Sequence, residues 1–134
     1  MKGTQEFLTN LIGMNNVQFV IPVYQRNYSW QEKECQHLLD DLVKLMKSDD
    51  VNKKHFLGSV VLSGGTVGSK TNYIVVDGQQ RLTTVFILLV SMFNILKERD
   101  GVQNQNSLYH QIWQQYLVNQ FEKDIDRKKR LRPL

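Results

Sequence analysis

Residues 73–84 read YIVVDGQQRLTT, and the hydrophobic period changes in the middle of them. Tyr73–Val76 is a β-branched and aromatic run, which predicts a buried strand. Asp77-Gly78 breaks it. From Gln79 or Gln80 onward the apolar residues Leu82, Val85, Phe86, Leu89, Phe93 and Leu96 recur at spacings of three and four, which predicts a helix to about Arg99. A strand, a tight Asp-Gly turn and a polar helix start together suit an anion. The first amides of a helix lack intrahelical acceptors and carry the positive end of its dipole. Arg81 falls in that first turn, where a cation is mildly disfavoured without an anionic partner. Asp77 can cap the helix, and Gln79 and Gln80 add neutral donors and acceptors. The same residues also fit a plain Asp N-cap with a solvated Gln-Gln-Arg turn.

Upstream of this stretch, His55–Leu62 (HFLGSVVL) reads as a second buried strand, with Gly58 marking a bulge or a close backbone approach. Ser63–Thr71 reads as a Gly-rich loop joining the two strands in a hairpin. Part of it, Gly64–Thr71 (GGTVGSKT), nearly spells a Walker A motif. Ser69 stands where a glycine belongs, and Lys70-Thr71 leads into a strand rather than a helix, so a hairpin loop is the better reading.

Nearer the N-terminus, Thr4 is placed to cap a short helix carrying Phe7, Leu8, Leu11 and Ile12 and ended by Gly13. Val17, Phe19 and Ile21 alternate as in a strand that Pro22 ends or forces to an edge. Ser29 and Glu32 form a capping box, so a helix is expected from Trp30, with Cys35, Leu38, Leu39, Leu42, Leu45 and Met46 as its apolar stripe. After a loop at Asp100–Asn106, Leu108, Ile112, Tyr116 and Leu117 mark a last helix running towards Phe121. The expected fold class is α+β: a small mixed sheet, mostly local hairpins, covered by helices.

A chain of 134 residues, 41% hydrophobic and 22% charged, has the length and composition of one globular domain. No uninterrupted apolar run reaches the roughly 18 residues of a membrane span, and MKGTQEFLTN lacks a signal-peptide core. The single cysteine, Cys35, excludes an internal disulfide framework and suits a reducing compartment, so a cytoplasmic protein without a membrane partner is expected. Residues 122–134 hold six Lys/Arg against three Asp/Glu, while the rest holds eleven against ten. The basic surplus, centred on Arg127–Arg132, therefore reads as a solvated helix end or linker rather than a broad nucleic-acid face. His37, His55 and His110 share no metal-ligand spacing. The Arg-Leu-Arg-Pro-Leu ending reads as a cut inside a longer chain.

In Ile21–Trp30 (IPVYQRNYSW), Tyr24, Tyr28 and Trp30 interleave with Gln25, Arg26 and Asn27. That composition suits a pocket that stacks a flat ring and reads its edges, with Arg26 on a phosphate or on the ring. It suits equally a pair of core aromatics and a structural salt bridge.

The ordered set IPVYQRNYSW, FLGSVVL and IVVDGQQRLTT resembles the N-terminal domain of the GmrSD-type, modification-dependent (type IV) restriction endonucleases, with their IPxYQRxYxW and DGQQRLTT motifs. The resemblance spans about Phe7 to Leu134. It implies a ParB/sulfiredoxin-like fold and a single N-terminal domain over residues 1–134, a piece of a longer chain whose His-Asn-His nuclease domain lies in cis or trans. It further implies binding and hydrolysis of a nucleoside triphosphate, often GTP, in defence against phage with modified DNA. Carried onto this sequence, Asp77 positions a water or a Mg²⁺ ion, and the Gly78–Arg81 amides with the Arg81 guanidinium take phosphate oxygens. Gln79 and Gln80 orient the phosphates or the attacking water. Tyr24, Gln25 and Arg26 complete the pocket, and Thr83 and Thr84 add hydroxyls. Two other readings stay open: a non-hydrolysing sensor that binds modified DNA, and an assembly domain in which the motif is structural.

Overall fold

The computed structural model describes residues 3–22, 28–100, 107–123 and 128–133. In chain order the elements are α1 (Leu8–Ile12), β1 (Val17–Ile21), α2 (Glu32–Met46), β2 (Val61–Val67), β3 (Lys70–Asp77), α3 (Gln79–Asp100), α4 (Leu108–Ile112), a π-helical turn (Trp113–Leu117) and β4 (Leu131–Pro133). The fold is α+β, around a four-stranded mixed sheet in the order β2-β3-β1-β4.

Only the β2–β3 pair is antiparallel; β1 lies parallel to both β3 and β4. Local hairpins were expected to dominate, yet two of the three pairings are long-range. Parallel partners need a crossover, which α2 and the following segment supply between β1 and β3. Pro22 follows β1 directly and ends it, while β4 on the far side makes β1 an interior strand.

One sheet face and the first two turns of α3 make the core. Val17, Phe19 and Val75 have no exposed surface, and Leu82, Val85, Phe86, Ile112, Leu117 and Val118 close over them. Phe19 stacks on Tyr73 at 5.7 Å and tilts against Phe86 at 6.3 Å. Each such side chain contributes about 1.5–3 kcal/mol by leaving water. The core thus fixes the start of α3 against the end of β3, where the DGQQR turn lies.

Several expected boundaries move. The ladder begins at Val61, so His55–Val60 is not a strand, and Gly64-Gly65 pair with Tyr73 and Asn72 inside it rather than forming a loop. The connection shrinks to Gly68-Ser69, with Gly68 at φ +64°, the glycine-first pattern of type II′ hairpins. Phe7, not Thr4, occupies the N-cap position of α1. The helix expected at Trp30 begins at Glu32, under a capping box of Gln31 and Glu34. Of its apolar stripe only Leu38 is fully buried, and Met46 is 82% exposed. The last helix stops at Leu117, which leaves Phe121 exposed. At 22 residues, α3 has the length and hydropathy of a membrane span, which reading uninterrupted apolar runs misses; its first turns are core of this domain.

Arg130 departs furthest from expectation. Placed in the basic run and expected to be solvated, it is 4% exposed, and its guanidinium donates to the carbonyls of Ile12, Met14 and Val118 at 2.8, 2.6 and 3.1 Å. Burial pulls its pKa below the ordinary guanidinium value. Its backbone also joins the ladder, with the Phe19 N–H bonding its carbonyl.

Candidate anion site at the start of α3

β3 delivers the chain to Gly78, which turns it into α3 at φ +85°. A Cβ there would sit 2.9 Å from the Ser59 carbonyl oxygen, so glycine is required both for the dihedral and for the crossing of the 58–60 segment. Asp77 is exposed at the strand end, and its Oδ1 accepts the Gly78 N–H at 2.9 Å. The Gly78 carbonyl accepts from the Leu82 N–H and starts the helical ladder.

Arg81 stands on the first turn, exposed, with its guanidinium lying on Gly58. A Cβ on Gly58 would meet Arg81 Cζ at 2.8 Å and Nε at 3.0 Å. Gly58 itself sits at φ +103°. The close backbone approach expected at Gly58 is therefore the approach of this side chain. Among the described residues no carboxylate lies within ion-pair distance of Arg81.

The neighbouring polar side chains are tied to protein. Gln79 Nε2 donates to the Val75 carbonyl at 2.9 Å. Gln80 Oε1 accepts the N–H groups of Ser29 at 2.8 Å and Trp30 at 3.2 Å, with the Ser29 hydroxyl at 3.4 Å. This is why Ser29 does not cap α2: a contact from another element claims it. Thr83 is half-buried beside them, and Thr84 is buried.

A second tie runs through Thr84. Its hydroxyl donates to the Gln80 carbonyl at 2.7 Å and meets the Tyr28 hydroxyl at 2.8 Å, which in turn lies 3.4 Å from Cys35 Sγ. A hydroxyl has one hydrogen to give. Thr84 spends its own on a carbonyl, so Tyr28 donates to Thr84 and the Cys35 thiol donates to Tyr28. Burial is the leading cause that pushes the Tyr28 pKa above its ordinary value, so the phenol stays protonated.

Trp30, Glu34, His37, Asp41, His55 and Arg81 line a cleft of about 150 Å³ between α2, residues 55–57 and the start of α3. His37 and Asp41 face each other across one helical turn at 3.6 Å. The structure thus brings Asp77, Gly78, Gln79, Gln80, Arg81 and Thr83 to one turn. Tyr24, Gln25 and Arg26, expected to complete the pocket, lie outside the described residues. No group of three or more His, Cys, Asp or Glu side chains that could hold a metal occurs among the described residues. Trp30, grouped in the sequence with a pocket-forming aromatic stretch, stands in a cleft wall, whereas Ser29 as a partner of Gln80 was missed. Ser29 reads locally as a helix cap, because its contact partner lies some fifty residues away.

Residues 8–133 match the family model described as the GmrSD restriction endonuclease, N-terminal domain, and the chain belongs to that family. A comparison with individual curated proteins finds no match.

Proposed function

We propose that this member of the GmrSD N-terminal domain family binds the phosphates of a nucleoside triphosphate, GTP foremost, at the Gly78 turn, and hydrolyses it to regulate its restriction system. The family itself makes the domain part of a restriction endonuclease. One observation supports the site above the rest: Arg81 is a cation at the positive end of a 22-residue helix, on a glycine and with no carboxylate partner among the described residues. That placement is unfavourable unless an anion completes it.

In this reading the Gln79–Arg81 amides and the Arg81 guanidinium hold phosphate oxygens, with the Thr83 hydroxyl beside them. The Gly78 N–H joins them once the Asp77 carboxylate that now accepts it turns to the water or ion. Asp77, exposed at the strand end, holds a water or a Mg²⁺ ion at the terminal phosphate. One carboxylate suffices for Mg²⁺ when phosphate oxygens supply further ligands, and the ion would neutralise charge developing there. Gln79 and Gln80 orient the site, Tyr24, Gln25 and Arg26 close it, and a His-Asn-His nuclease in cis or trans acts on modified DNA. Placement and charge neutralisation carry most of the rate in phosphoryl transfer.

A charge-assisted hydrogen bond contributes about 1.5–3 kcal/mol, and 1.4 kcal/mol is about tenfold in affinity. Arg81→Ala is expected to weaken GTP binding about ten- to a hundredfold, read by calorimetry with Mg²⁺ present. Unchanged affinity would remove Arg81 from the site. Asp77→Ala should lower hydrolysis more than binding.

The cleft volume favours a second reading. About 150 Å³ is below the roughly 300–1,000 Å³ of most small-molecule pockets. A single backbone phosphate of modified DNA, bound without hydrolysis, needs less room. Thermal shifts with GTP, ATP and CTP, beside plain and modified DNA, separate the two readings.

A further inference from the structure

Tyr28, Ser29 and Trp30 have no helical or strand hydrogen bonds of their own, yet they are tied at two points to the first two turns of α3. Gln80 Oε1 takes two successive backbone N–H groups, and Thr84 Oγ1 takes the Tyr28 hydroxyl. Two N–H donors converging on one side-chain atom identify that atom as the amide oxygen. The held segment carries Trp30, which stands in the cleft wall with Arg81. Gln80 is therefore one residue before Arg81 in sequence and holds the segment that brings Trp30 to the same cleft.

We infer that Gln80 is a positioning residue: its carbonyl oxygen fixes the Ser29–Trp30 backbone, and through it places the Trp30 ring beside Arg81 to shape the anion site. This rests on the nucleotide reading of that site and assigns Gln80 a role through Trp30 instead of on the attacking water. The geometry makes the two roles separable. A residue that touches phosphate through its amide becomes repulsive when changed to glutamate. A residue that accepts two backbone N–H groups keeps that contact as glutamate, because a carboxylate accepts them equally well.

The test uses the 134-residue chain carrying Trp113→Phe, so that Trp30 is the remaining tryptophan. Gln80→Ala and Gln80→Glu are compared for Trp30 emission without ligand and for binding of GTP with Mg²⁺. Gln80→Ala is expected to shift Trp30 emission to the red and weaken GTP binding by up to about tenfold, the cost of ordering the released wall again on binding. Gln80→Glu keeps an acceptor for the Ser29 and Trp30 N–H groups, so it is expected to return Trp30 emission towards that of the parent. Unchanged emission in Gln80→Ala overturns the inference whether or not binding falls. A parent chain that binds none of GTP, ATP or CTP removes the nucleotide reading instead, and the emission arm alone then decides whether Gln80 holds Trp30.

Discussion

Arg130 and Arg81 are the same residue put to opposite uses. Arg130 lies 4% exposed in a cage of backbone carbonyls, from Ile12 at the end of α1, Met14 beyond it, Val118 after the π-turn and, at 3.4 Å, Gln114 within it. Arg81 is exposed on the backbone of Gly58 with no ion pair among the described residues. A guanidinium brings five N–H donors in a fixed plane. Where carbonyls meet those donors, the side chain staples distant segments together. Where the guanidinium rests on a glycine and no described carboxylate meets its donors, the charge is available to something that arrives from outside.

The largest effect is expected from breaking the first half of this contrast. Arg130→Met keeps much of the volume and strands several buried carbonyls, each worth about 1–3 kcal/mol when unsatisfied. Urea unfolding should show a loss of about 3–5 kcal/mol, a large share of the stability of a domain this size. Arg81→Ala in the same assay should change stability by no more than about 0.5 kcal/mol. Equal losses would mean that both arginines are structural.

Arg130 was not legible in the sequence, and the reason is physical. It sits in a run of basic residues, RKKRLR, in which any one residue looks solvated. Its burial is decided by carbonyls contributed from more than a hundred residues earlier. The β3–Gly78–α3 element was legible because the change of period from two to 3.6 is local and the apolar spacing belongs to one helix. Gly64-Gly65 were misread for the opposite reason. Glycines weaken a strand by propensity, but here the Asn72 carbonyl passes so close that a side chain at Gly64 would collide with it. Ser29 shows the same conflict at the site itself: a sound capping residue by type, it gives its N–H to Gln80, and the cap moves two residues on to Gln31.

A smaller effect is expected at Gly58, the platform under Arg81. Gly58→Ala places a methyl group 2.8 Å from the guanidinium carbon at a φ of +103°. The dihedral strain costs about 1–3 kcal/mol, and the flexible Arg81 side chain moves to relieve the contact. Stability should fall by that amount and GTP affinity should fall with it, by calorimetry, although no group that touches the ligand has been removed. Loss of stability with full affinity would show that Arg81 does not need its platform.

The smallest expected effect sharpens the second half of the comparison by separating charge from shape. Arg81→Lys keeps a positive charge at the same position on α3 but replaces the flat fork with a compact ammonium. Lysine cannot lie on the Gly58 backbone as a plane, nor give a phosphate two parallel hydrogen bonds. Urea unfolding should be unaltered to within about 0.5 kcal/mol, because Arg81 has no carboxylate partner among the described residues to lose. GTP binding should weaken by roughly three- to tenfold, less than in Arg81→Ala, since the net charge at the helix start survives. If lysine binds as tightly as arginine, the site needs only a charge, and the stacking on Gly58 is packing without a role in recognition.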